Sequence, residues 1–244
     1  MELEERAADP LAGGIMRGYQ CGMIWGAALA AGAQVYHTLG KGPQAEAEAM
    51  IATQRIVESF RAQNNNINCR DITGIDISSP TTRMIVGFLI RSAPKGSCFG
   101  MAARYAQAAF REINTTLSNK YIEAPSAPAS CAAMLAQRMD ASDMHTVMAA
   151  GFAGGIGLSG GACGAMGAAI WIIGMNDLKK GTNQSGLEAP GVRDAIERFV
   201  KCTNNEFVCS KIVGRKFESI DDHASYICNG GCSEIIEVLA TKRS

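Results

Sequence analysis

Cys163 stands where a glycine-dense, uncharged run, 152–174, changes from a loop pattern to a helix pattern. A thiol at a helix start lies among unpaired backbone N–H groups, at the positive end of the helix dipole. Both favour thiolate, the form that attacks disulfides and binds metals. These surroundings occur twice in the chain. Ala12-Gly13-Gly14-Ile15 precedes Cys21-Gly22, just as Ala153-Gly154-Gly155-Ile156 precedes Cys163-Gly164.

The spacing beyond these cysteines repeats as well. Cys69 follows Cys21 by 48 residues, and Cys209 follows Cys163 by 46. Gly32 and Gly174 each lie eleven residues after the first cysteine, and Gly74 and Gly214 each lie five after the second. A helix pattern ending in Val57-Glu58-Ser59-Phe60 or Ile196-Glu197-Arg198-Phe199 precedes an asparagine run in both copies. A third cysteine then opens a helix pattern, at Cys98 and at Cys232. The coincidence of so many landmarks implies an internal duplication, with a first repeat over 12–124 and a second over 125–244.

The elements that must position these cysteines read as helices. Pro43 suits a first helical position, and 43–62 carries Met50, Ile51, Ile56, Val57 and Phe60 towards one side. Pro80 opens a further helix pattern, and Cys98 opens one that runs to Ser118. Pro125–Pro128 reads as a joint. Helices around 129–138 and 142–150 follow, the second capped by Ser142. Pro190 opens a helix to Cys202, a short one covers 219–227, and the last covers 233–241. Gly22 and Gly26 have the spacing of a close helix contact. Little of the chain alternates with period two, so the expected fold is all-α, a helical bundle of two cysteine-bearing repeats.

Composition narrows the function classes. A chain of 244 residues with 47% apolar content can bury a sizeable core. With 23 basic and 23 acidic residues, nothing draws it towards nucleic acid. The runs 18–40 and 144–176 are uncharged and long enough to span a bilayer, but glycine, Gln20, Gln34 and His37 interrupt them. Buried core is the expectation, without membrane insertion. The acidic start, MELEERAADP, is unlike a signal peptide. Nine cysteines in an expected cytoplasmic setting point to metal or redox work rather than a disulfide framework.

The second copy resembles the C-GCAxxG-C-C family, whose members are classed as redox-active proteins. Gly96-Ser97-Cys98 resembles the family's first cysteine, and Gly154-Gly155-Ile156 through Gly161-Ala162-Cys163-Gly164-Ala165 resembles its glycine loop and central motif. Phe199 through Cys209, with Val213-Gly214, resembles the third cysteine, and Cys232-Ser233-Glu234-Ile235-Ile236 the last. The resemblance covers about 96–242, and 12–98 is a partial echo. Ala168 departs from the motif's final glycine, a position that Gly26 fits in the first copy. A related domain occurs in split-Soret-type cytochromes, but no Cys-x-x-Cys-His is present, so covalent haem is not expected.

The resemblance implies redox-active cysteines and an iron–sulfur cluster. Cys98, Cys163, Cys209 and Cys232 would be its ligands, with a redox protein as partner. Cys228 competes with Cys232 for the last role. Cys21, Cys69 and Cys228 are candidates for a second or shared site: Cys21 and Cys69 match ligand positions but lack a full set within 12–98, so they share Cys98, form a second site or are degenerate relics. A homodimer is also a candidate assembly. Two alternatives stand beside this electron carrier or sensor. One is a thiol–disulfide oxidoreductase with Cys163 as nucleophile and Cys209 or Cys232 as resolving thiol. The other is a structural zinc module. Cys131 and Cys202 have no counterpart in the first copy and read as packing residues. His37, His145 and His223 are unclustered, and Trp25 and Trp171 read as core.

Overall fold

A computed structural model describes residues 2–76, 79, 81, 98–118, 129–181 and 187–241. The all-α expectation holds. Among the described residues there are twelve α-helices and no strand, only two isolated β-bridges. The first half contains α1 (Glu2–Ala7), α2 (Gly22–Leu39), α3 (Pro43–Asn64), α4 (Cys69–Thr73) and α5 (Cys98–Ser118). The second contains α6 (Cys131–Arg138), α7 (Asp143–Ala150), α8 (Gly164–Lys179), α9 (Pro190–Cys202), α10 (Cys209–Val213), α11 (Ile220–Cys228) and α12 (Ser233–Ala240). The expected helix after Pro80 and the joint at 125–128 lie outside the described residues.

Local chemistry sets these boundaries. Pro43 and Pro190 occupy the first turns of α3 and α9, where a missing N–H costs nothing. Ser130, Ser142 and Ser219 cap α6, α7 and α11, each accepting a backbone N–H three residues on. Asn65 ends α3 in the left-handed region, and Asn204 and Asn205 take the same conformation after α9. Asparagine tolerates that region better than most residues, which accounts for the two asparagine runs.

In the first half α3 packs on α2 and α5, and α2 also touches α5. In the second half α8 packs against α6, α9 and α12, which also meet in the pairs α6–α12 and α9–α12. Two helices join the halves: α7 packs on α2 and α3 as well as on α6, and α1 crosses to lie on α8. The close helix contact falls at Gly32, not at the Gly22/Gly26 pair. A Cβ on Gly32 would collide with the backbone of Val147 and Met148 in α7, whereas nothing approaches Gly26.

The uncharged runs are core. Trp25, Trp171, Phe60, Phe152 and Phe199 are fully buried. The Trp25 ring meets Phe152 edge-on at 4.7 Å and lies over Gly167 of the second half, where a Cβ would strike it. Among the described residues no helix is long and apolar enough to cross a membrane.

Candidate thiol site

Each repeat builds the same frame. The chain enters through a left-handed turn, at Gly13–Met16 in the first repeat and Gly154–Leu158 in the second. Non-glycine residues pay about 1–2 kcal/mol each to adopt that region; glycine supplies two of the four positions in the first turn and three of the five in the second, and Ile15, Met16, Ile156 and Leu158 bear the cost. The chain then makes an antiparallel bridge, Gln20 with Asn68 or Ala162 with Val208. Cys21 N donates to Ile67 O at 2.8 Å and Cys69 N to Tyr19 O at 2.7 Å. Cys163 N donates to Phe207 O at 2.8 Å and Cys209 N to Gly161 O at 2.6 Å. Side chains alternate along a bridge, so the two cysteines of each pair share a face, diagonally placed. Asn66 Oδ1 and Glu206 Oε1 support the two bridges equivalently, each accepting the next two backbone N–H groups.

From this frame two groups of thiols arise. In the second repeat Cys163 caps α8 and Cys209 opens α10. Cys131 opens α6 and Cys232 precedes α12 in a left-handed conformation. Cys131 lies within electrostatic reach of Cys163, Cys209 and Cys232, and Cys209 within reach of Cys163 and Cys232. Cys202, at the half-exposed end of α9, reaches Cys163 and Cys232 from the margin, beside Glu234. Cys228 is exposed.

Cys98 does not join Cys163, Cys209 and Cys232; it lies near Cys21 and Cys69. The reason is packing. Helix α5 is held by α2 and α3 of the first half, whereas α6 lies against α8 and α12, so Cys131 takes the place expected for Cys98. Cys131 escapes a reading based on the repeat because the first repeat has no counterpart. One sequence signal does mark it. Cys21, Cys69, Cys98, Cys131, Cys163, Cys209 and Cys232 all stand at helix starts, while Cys202 and Cys228 end α9 and α11.

Burial, not the helix dipole, sets the protonation of these thiols. Desolvation pushes Cys163 up to about 11, against backbone N–H groups of Met166 and Ala165 that favour its thiolate. Burial likewise pushes Cys232 up to about 12, against a hydrogen bond from the Tyr226 hydroxyl. Cys131 and Cys209 shift in the same direction, by burial first and then by their thiol neighbours. The set is therefore protonated unless a cation compensates its charge. Among the described residues no three His, Cys, Asp or Glu side chains stand close enough to hold a single metal ion without moving.

Two buried polar residues fix the frame. Gln20 is fully buried and spans the repeats: its Nε2 donates to Gly155 O at 3.0 Å and its Oε1 accepts from Ala162 N at 2.9 Å. Gln20→Leu would leave the Ala162 N–H unpaired beside Cys163. The expected cost is about 1–3 kcal/mol in chemical denaturation; an unchanged midpoint would mean that this bond does not hold the bridges together.

His223 anchors the segment before Cys131, its Nδ1 donating to Ala129 O at 2.8 Å. Burial lowers its pKa, outweighing the carbonyl and Asp222, which raise it. The folded state thus binds this proton less readily than the unfolded chain, so stability is lost as pH falls below about 6.5. Comparing urea midpoints at neutral and mildly acidic pH should show this loss in the wild type and a smaller one in His223→Gln. Equal losses would remove His223 as the source.

No curated protein and no solved structure matches this chain. One family does, and it matches twice, over residues 2–112 and 127–242. The first match takes in Cys98 and the second takes in Cys131, the same partition as the two thiol groups. The chain belongs, in both of its halves, to the family described as "Putative redox-active protein (C_GCAxxG_C_C)".

Proposed function

We propose that the second repeat holds an iron–sulfur cluster on Cys131, Cys163, Cys209 and Cys232, and that the protein is an electron carrier or redox sensor. The observation that carries this reading is the convergence of four buried or half-buried thiols from four separate elements. When bound, the cluster would supply one-electron exchange without bond making in a substrate. The chain's own residues would do the rest. The backbone N–H groups of Met166 and Ala165 beside Cys163 favour its thiolate, and the Tyr226 hydroxyl favours that of Cys232; such donors tune the charge on ligating sulfur. The buried glycine loop and α8 keep water from Cys163. Binding would deprotonate the thiols and draw them inward, linking metal loading to local order.

The nucleophile alternative is less favoured, because burial keeps Cys163 protonated at neutral pH. Direct Cys163–Cys209 bonding is also unfavoured. Diagonal neighbours across a bridge stand about 7–8 Å apart, beyond the Cα span of about 4.4–6.8 Å that suits a disulfide. Anaerobic purification followed by an absorbance spectrum and iron, sulfide and zinc analysis tests the proposal. Brown protein with matched iron and sulfide is expected. Colourless protein, with zinc alone or without metal, would overturn it.

A further inference from the structure

Side chains of the first repeat hold the backbone beside two cysteines of the second. Gln20 grips Gly155 O and the N–H of Ala162, the residue before Cys163. Gln20 and Ala162 take equivalent places in the two bridges, and the alanine methyl cannot return that grip. A second grip falls beside Cys131. Glu46, in the first turn of α3, is 4% exposed, and its Oε2 accepts the Ala129 N–H at 3.3 Å. From α11, His223 Nδ1 donates to the carbonyl of the same residue at 2.8 Å. Ala129 is thus clamped at both of its backbone polar groups, by one side chain from each repeat, two residues before Cys131.

The packing around this clamp is tight. Ala129 and Ser130 are wholly buried. The Ser130 hydroxyl accepts the Ala133 N–H at 3.1 Å and donates to Ala150 O at 2.9 Å. Ala45 and Ala49 of α3 share a small core cluster with Ala133 of α6 and with Val147 and Ala150 of α7. A carboxylate is costly to bury in such a place. Burial pushes the Glu46 carboxyl up, and the N–H groups of Ala129 and Ser130 oppose that shift. A leucine would fill the same space without that cost, so the use of the carboxylate lies in the bond it makes. We propose that Glu46 is a positioning residue for the thiol site of the other repeat, fixing the backbone from which Cys131 projects. The second repeat then depends on the first for its ligand geometry. The effect on metal retention rests on the iron–sulfur reading of the second repeat; the hold on Ala129 does not.

The test compares the full chain with three variants, Glu46→Leu, Glu46→Gln and Ile56→Ala. Leucine removes the acceptor, and glutamine keeps an oxygen at the same reach. Ile56→Ala hollows the core ten residues further along α3 and controls for general destabilisation. Hydrogen exchange is read by mass on peptides spanning 129–136 of metal-free protein. In Glu46→Leu it should be about tenfold or more faster there than in the wild type. Glu46→Gln should restore most of the protection, and Ile56→Ala should affect these peptides no more than the rest of the chain. Wild-type exchange over 129–136 in Glu46→Leu would overturn the inference, and so would equal acceleration in Ile56→Ala.

Iron-loaded protein gives the functional readout. Glu46→Leu should lose iron to a chelator about 10–100-fold faster than the wild type, with Glu46→Gln near the wild-type rate. Loss at the wild-type rate in Glu46→Leu, despite faster exchange over 129–136, would overturn the positioning role. A wild type that holds no iron would instead overturn the reading of the second repeat, and the exchange comparison would still decide whether Glu46 holds Ala129.

Discussion

Replacing Cys163 with serine is expected to remove the visible absorption of the second repeat with its iron and sulfide. Cys163 is 6% exposed at the N-terminal position of α8, where the nearby backbone N–H groups of Ala165 and Met166 favour its thiolate. A serine hydroxyl in that place is a poor thiolate substitute, and the site would lose a ligand. Cys131→Ser should have the same effect, since Cys131 is the fourth thiol in reach of Cys163, Cys209 and Cys232. Cys228→Ser should have none, because that residue is exposed at the end of α11. Cys98→Ser decides between the ligand set implied by the resemblance and the packing-based one. If Cys98→Ser bleaches the second-repeat signal and Cys131→Ser spares it, the ligand assignment offered here is wrong. Tyr226→Phe should keep the cluster but weaken its retention by about 10–100-fold, read as faster iron loss to a chelator.

Gly164→Ala is expected to be strongly destabilising. Gly164 is the first residue of α8, and a Cβ there would overlap the carbonyl of Phe152. That carbonyl cannot swing aside, because it accepts the Ile156 N–H at 2.8 Å inside the left-handed turn. Overpacking against a fixed backbone costs about 3 kcal/mol or somewhat more, which for a chain of this size lowers Tm by about 6–12 °C. The displacement would be felt at Cys163, its immediate neighbour. Gly26→Ala is the matched control. Nothing lies within 4 Å of a Cβ at Gly26 in the middle of α2, so alanine should stabilise by about 0.5–1 kcal/mol. Thermal unfolding of the two variants should therefore move in opposite directions. Similar shifts would mean that the close approach at Gly164 is not what excludes a side chain.

Several features were legible because they depend on neighbours along the chain. Pro43, Pro190, Ser142 and the asparagine runs mark helix ends through local backbone chemistry, and the structure puts helix ends there. The glycine loops were visible as composition, although not as left-handed turns, since glycine permits that conformation without requiring it. The Gly22/Gly26 spacing misled for a related reason. It describes a helix surface able to approach another, and only the arrangement of α7 selects Gly32 as the contact.

The thiols divide along the same line. The sequence by itself determined that the chain is a duplicated, helical, cysteine-bearing unit, because repeat spacing and helix starts are written locally. It also placed Cys98, Cys163 and Cys232 at helix starts, whereas Cys69 read as loop and Cys131 as packing, and only the structure puts both at helix starts. Only the tertiary structure decided which of them meet. Cys98 is 29 residues from Cys69 and Cys131 is 32 from Cys163, and neither spacing says which helix packs on which. The choice follows from the burial of α5 against α2 and α3, and of α6 against α8 and α12. Tertiary burial also reversed the expected charge of Cys163. A helix N-terminus favours thiolate within its first turn, but surrounding the sulfur with apolar core removes the water that would solvate that charge, and desolvation is the larger effect.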